Sequence, residues 1–275
     1  MQHRRRLLCS GLWLALAGPL HAEPAYVVGI VPQESPSQLA ANWTPVLAAL
    51  SEKSGLKLTF ATAPDVPTFE HRLAGSEYDF AYMNPYHFVV YNAKPGYRAL
   101  ARAKGERLKG VVVVRKDSPY KDLRDLAGAT LAFPTPAAFA ATVLVEAELR
   151  RRGVDFKASF VKSHNSVYRD VAKGLYPAGG GAARTLTLLD ESIAKDLRVL
   201  WTSPAYTTHA IASAPQVDAS VRARLLKAMA DVGADPALRP LLERIGFDGF
   251  EPAQDKDWDD VRRLGIRRAD TQIQE

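Results

Sequence analysis

Tyr82, Asn84, Tyr86 and His87 crowd one short run, Asp79 to His87 (DFAYMNPYH). Aromatic rings can stack on a solute, and an amide offers both a donor and an acceptor. None of these residues makes a nucleophile–base pair with a neighbour. Asp79 to Met83 reads as a short buried strand. Asn84-Pro85 breaks it, and a helix opens behind the break. The carboxyl ends of strands in open α/β sheets are where small ligands bind, so the run reads as one wall of a ligand pocket.

A second group has the same logic. Phe133-Pro-Thr-Pro-Ala-Ala-Phe-Ala-Ala-Thr142 is a strand end running into a helix. First-turn amides lack intrahelical partners and can hold an oxyanion with the help of the helix dipole. Thr135, Ala137, Ala138 and Phe139 are the candidate contacts, the alanines permitting close approach; a plainly well-started helix is the alternative. His164 and Ser166 lie in KSHNS, after a strand and at a helix start, where a polar ligand or simple capping is served. His87 is read either as packing or as pocket, and His209 as structural. The histidines at 71, 87, 164 and 209 lack metal-ligand spacing. No hydrolase elbow, zinc-protease, P-loop or dinucleotide motif is present. The expected activity is therefore binding, with no catalytic residue, metal or cofactor. Gly179 to Gly181 reads as a turn, either plain or letting the backbone approach a ligand or helix.

The elements that position these residues alternate. Strands are expected at 26–30, 56–61, 79–83, 97–103 and 110–115, with helices at 38–54 and 67–74. Pro45 should kink the first helix or restart it. After Asp117-Ser118-Pro119 a second series follows: strands 131–133, 156–161 and 198–201, helices 138–152 and 166–173, and strand character again at 207–212. The tail is helical at 219–232, 240–245 and 257–264. Such alternation implies an α/β fold with mostly parallel sheets flanked by helices. Two series without a long linker give two lobes, 23–112 with 208–275 and 113–207, joined by crossings near 111–115 and 204–211. A hinged clamp of this kind closes around a solute in the cleft between its lobes.

The first 22 residues read as a cleavable signal peptide: His3 to Arg6 are charged, Leu7 to Gly18 apolar and too short to span a bilayer, and small residues precede Glu23. Cys9 is the only cysteine, so no disulfide is available, and a periplasmic location is expected. The net charge of +6 includes three leader arginines, leaving about +3. The clusters at 150–152, 262–263 and 267–268 read as helix ends that complement the dipole, without a nucleic-acid partner.

Four stretches carry a family resemblance: FEHRLAGSEYDFAYMNPYHF (69–88), DLRDLAGATLAFPTPAAF (122–139), SHNSVYRDVAKG (163–174) and AGGGAARTL (178–186). On these the chain resembles the periplasmic phosphate/phosphite/phosphonate-binding proteins of ABC importers, the PhnD-like family. The resemblance implies a two-lobed type II periplasmic-binding-protein fold, a small phosphonate- or phosphate-like solute in the cleft and a membrane permease as partner. A sensor feeding a membrane signalling enzyme is the alternative. Tyr82 to Tyr86, the helix start at 138–141 and His164 match the family's ligand contacts. The family's Ser-Thr-Ser-Gly at that helix start is Ala138, Phe139, Ala140 and Ala141 here, and Pro177 replaces a frequent Asp. Each lost hydrogen bond to a charged group costs about 1.5–3 kcal/mol, so an aminoalkylphosphonate is not the expected solute.

Overall fold

The computed structural model describes residues 24–266; the signal-peptide reading and the 267–268 arginines lie outside the described residues. The chain opens β1 (Ala25–Ile30), α1 (Pro36–Ser54), β2 (Lys57–Ala61), α2 (Val66–Ala74), β3 (Phe80–Met83), α3 (Pro85–Ala93) and β4 (Arg98–Ala103). β1 pairs in parallel with both β2 and β3. Ser35 caps α1 by accepting from Gln38 N, and Gly55 ends it at φ 66°. Pro45 neither breaks nor restarts that helix, which runs unbroken from Pro36 to Ser54. The buried face of Leu39, Trp43, Val46, Leu47 and Leu50 spans both sides of the proline and outweighs the one amide bond it removes.

After β5 (Arg107–Leu108) the chain enters a second sheet through β6 (Gly110–Arg115). There follow β7 (Thr130–Phe133), α4 (Leu144–Arg151), β8 (Lys157–Phe160), α5 (His164–Ala172), β9 (Ala178–Ala182), α6 (Ala183–Thr187), α7 (Glu191–Ala194) and β10 (Leu197–Thr202). The return passes β11 (Tyr206–Thr207), antiparallel to β5, into β12 (Ala210–Ser213), and the chain closes with α8 (Ala219–Ala234), α9 (Arg239–Arg244), β13 (Phe250–Pro252) and α10 (Asp259–Arg262). The first lobe holds a six-stranded sheet ordered β13-β4-β12-β3-β1-β2, the second a five-stranded sheet ordered β10-β6-β9-β7-β8.

The α/β class and two lobes are as expected, but the sheets are mixed rather than mostly parallel. β12 runs antiparallel to β3 and β4, and β6 antiparallel to β9 and β10. These are strands by which the chain enters a lobe from the hinge. Between the two sheets lies the β5–β11 ribbon. Thr207 N donates to Asp260 Oδ2 (2.8 Å), and Trp258 Nε1 donates to Thr208 O (2.9 Å), so the chain's last helical turns pin it to the first lobe.

Gly179 to Gly181 are not a turn. They form buried β9, packed on both faces. A Cβ at Gly179 would lie 2.4 Å from Val167, at Gly180 1.9 Å from Ala141 O, and at Gly181 2.2 Å from the Tyr168 hydroxyl. The glycines let a neighbouring helix approach, which is one of the two uses read from the sequence.

Candidate functional site

Strand β3 ends at Met83, and Asn84 caps α3: its Oδ1 accepts from His87 N (2.8 Å). The other end of the amide reaches the second lobe, where Nδ2 donates to Ala137 O (2.9 Å). Asn84 is 5 % exposed, so both halves of its side chain are used away from bulk water. One residue thus starts a helix in one lobe and holds the other lobe to it.

Tyr82, beside it on β3, sits in an aromatic nest. Its ring stacks on His209 (5.0 Å between centroids, 19° between planes) and lies 4.8 Å from Trp43 and 5.7 Å from Phe247. Burial raises the pKa of the Tyr82 phenol, Glu106 adding to the rise and Arg184 opposing it. His209 stands where the expected 207–212 strand breaks between β11 and β12, and its Nε2 lies 2.9 Å from Gln33 Nε2. Burial holds its pKa down at about 3, with His87 and Arg184 contributing. His209 is therefore a neutral, buried ring at ordinary pH, in keeping with its structural reading.

Tyr86 and His87 turn into the first lobe's core. Tyr86 is buried, with its ring 6.0 Å from that of His87. His87 Nε2 lies 3.0 Å from Glu70 Oε1, both side chains enclosed. His87 thus takes the packing half of its reading.

The helix start at 134–143 has an unusual form. Residues Phe139–Val143 make a π-helical turn before α4. Val143 N donates to Ala138 O (3.2 Å), and the Thr142 hydroxyl donates to Thr135 O (2.7 Å). No side chain caps this turn, as expected from its alanines. Its carbonyls press on glycines: a Cβ at Gly110 would lie 2.3 Å from Ala140 O, as one at Gly180 would crowd Ala141 O. Phe139 is 2 % exposed and packs, with Ala137, Val143 and Leu144, into the first lobe's apolar cluster. Its ring meets Tyr206 of the hinge edge-on at 6.0 Å. Phe139 is thus a cross-lobe wedge, and the backbone is what remains for a solute at this turn.

His164 opens α5, capped by Ser163, whose Oγ accepts from Ser166 N (3.1 Å) and lies 2.9 Å from Ser166 Oγ. The Ser166 hydroxyl is therefore engaged in capping. His164 Nδ1 is buried and without a hydrogen-bond partner among the described residues, and burial lowers its pKa to about 4. Because β7 and β8 are parallel neighbours, His164 and the 135–139 segment leave the sheet at the same edge.

A cavity of about 490 Å³ is lined by Lys104, Glu106, Arg107, Glu243 and Phe247 of the first lobe and Arg184 of the second among others, and by none of the sequence-predicted site residues. Arg184, from the second lobe, donates to Glu106 Oε1 (2.8 Å) and Gly246 O (3.3 Å). Neither Arg184 nor Glu106 is marked by a sequence motif of its own, although Arg184 lies within AGGGAARTL. Among the described residues no cluster of His, Cys, Asp and Glu could hold a metal ion, and no helix is long and apolar enough to cross a membrane.

Known proteins share this fold. The phosphonates-binding periplasmic protein of Escherichia coli (strain K12) is 24 % identical over 282 residues, covering 91 % of this chain and 80 % of the relative. A solved binding-protein component of an ABC phosphonate transporter from Pseudomonas aeruginosa superposes with a TM-score of 0.76 at 18 % identity, over 89 % of this chain and 86 % of that one. A methylphosphonate complex of a Prochlorococcus marinus (MIT 9301) homologue also gives 0.76, at 16 % identity, covering 88 % and 97 %. The family described as the periplasmic substrate-binding protein of phosphonate ABC transporters matches residues 28–258, and the chain belongs to that family.

Proposed function

We propose that the chain, exported by its N-terminal signal peptide, captures a small oxyanionic solute between its lobes and presents it to a membrane permease without making or breaking a bond. The observation that carries this reading is the Asn84–Ala137 bond. It sets the uncapped turn at 138–141 against the lobe that bears the Tyr82–His209 stack. In this reading the lobes are 23–112 with 208–275 and 113–207, except that residues 110–112 go with β6 in the second lobe's sheet. Tyr82 supplies a ring face. The backbone amides of Phe139 to Ala141 supply donors, the Ala138 amide being held by Thr135 O (3.3 Å), and His164 Nδ1 supplies a neutral polar contact. Ala137 and Asn84 hold the two walls in register, Tyr86 and Phe139 back them, and Thr135 and Ser166 shape the turns.

A solute bound this way meets amides and neutral rings where other members of the fold could offer hydroxyls. Phosphate, phosphite or methylphosphonate therefore fits better than an aminoalkylphosphonate. A thermal-shift panel of these anions with sulfonates, carboxylates and amino acids tests the reading. A true solute at 100 times its Kd stabilises by about 2.7 kcal/mol. A response to 2-aminoethylphosphonate larger than that to phosphate, phosphite or methylphosphonate would overturn the preference against an amine, and a response to amino acids alone would overturn the phosphorus-oxyanion assignment.

A further inference from the structure

Arg184 reaches further than any packing role requires. It rises from α6, immediately after β9, and its guanidinium crosses to the first lobe. There Nη1 donates to Glu106 in the β4–β5 connection and to the carbonyl of Gly246 in the α9–β13 connection. The second oxygen of Glu106 accepts from Thr208 Oγ1 (3.3 Å), next to His209. A single carboxylate thus couples the far lobe's cation to the return strand of the hinge. Arg184, Glu106 and Gly246 all line the cavity described above.

Gly246 is shaped for this contact. It holds φ +74°, and a Cβ there would stand 1.8 Å from Arg184 Nη2. Gly128 and Gly153 also have positive φ but have nothing within 4 Å of the missing Cβ, so a Cβ at 246, unlike one at those two positions, would also displace the Arg184 guanidinium. The ion pair is half in water: the Arg184 side chain is 50 % exposed and Glu106 21 %. Such a pair is weak and sensitive to salt, which suits a contact that must open and close.

We propose that Arg184, Glu106 and Gly246 form a clasp across the cleft mouth, holding the lobes shut and setting how long a captured solute stays. The clasp rests on the capture reading for its purpose, but it acts on the lobes whether or not a solute is present. It is a positioning device and need not touch the solute.

The test uses no solute. Spin labels on Gln38→Cys in the first lobe and Leu175→Cys in the second, with Cys9→Ser, report the interlobe distance by double electron–electron resonance. Both labelled positions are exposed. Arg184→Gln and Gly246→Ala should each raise the ratio of open to closed molecules about fivefold. Raising KCl to 1 M, where the screening length is about 3 Å, should do the same in the parent and add little in Arg184→Gln. Gly153→Ala, equal in backbone strain, should leave the distribution unchanged. If Arg184→Gln does not fold, Gly246→Ala and the salt titration of the parent still decide. Distributions that superimpose on the parent, or a Gly153→Ala change as large as that of Gly246→Ala, would overturn the clasp. A solute response in the thermal-shift panel that survives such a result would leave the capture reading intact.

Discussion

Asn84 does two jobs with one side chain, and two substitutions separate them. Asn84→Ala removes the cap of α3 and the bond to Ala137 O together. A lost N-cap costs about 1 kcal/mol, and the lost cross-lobe hydrogen bond, at a site only 5 % exposed, about another 1 kcal/mol. The sum of about 2 kcal/mol lowers Tm by about 4–8 °C in a protein of this size. Asn84→Asp keeps an acceptor for His87 N, now anionic at a helix N-terminus, so the cap is retained or improved. It loses the donor, however, and sets a carboxylate against the Ala137 carbonyl. Asn84→Asp should therefore leave the unfolding midpoint of the first lobe near the parent value while shifting the lobes toward open and weakening solute affinity about tenfold. Urea unfolding followed by circular dichroism reads the first effect, and titration calorimetry with the best solute of the panel reads the second. The reasoning fails if the two variants match on both readouts, because the cap and the bridge would then not be separable functions of this amide.

Gly180→Ala should abolish folding or cost well over about 3 kcal/mol, because its Cβ would lie 1.9 Å from backbone at Ala141 O and 2.7 Å from the buried Phe133 ring; normal expression and melting would contradict the buried-strand account. Phe139→Ala should lower stability by about 3–5 kcal/mol and loosen the lobes together, read by unfolding and by the same spin-label distance; a loss without interlobe change would make the ring a local packing residue only. His209 is held near pKa 3 when folded against the ordinary 6.5, so its contribution is complete above pH 6.5 and is lost as pH falls toward 3. At pH 5 the deficit is about 2 kcal/mol, and His209→Gln should flatten the stability–pH slope over that window. An unchanged slope would show that the ring takes up its proton without opening the cleft.

Much of the fold was legible because burial leaves a period. The apolar face of Leu39, Trp43, Val46 and Leu50 and the stops at Gly55 and Asn84-Pro85 located the first elements almost to the residue. The glycine run misled because Gly has no side chain with which to declare burial. Only the clash of an added Cβ with Val167, Ala141 and Tyr168 shows it to be an interior strand. The 207–212 segment was legible as strand, but its break at His209, where the chain re-enters the first lobe, is a tertiary event. The candidate site was half visible. Tyr82 and Asn84 sit close to a strand-breaking proline and stand out, whereas Glu106, Phe247 and His209 come from distant segments that meet only in the folded first lobe, and Arg184 reaches them from the second. The π-helical turn has no local signature beyond its small residues. Phe139, aligned with a polar position by resemblance, proves to be an apolar wedge.

The most direct test of solute capture between the lobes is a crystal structure of the protein soaked with the anion that gives the largest thermal shift. The account predicts density between the Tyr82 ring and the backbone of residues 138–141, with the anion within hydrogen-bond distance of the amides of residues 139–141. Density outside the cleft, with Tyr82 and that turn still in contact with nothing but protein, would contradict it.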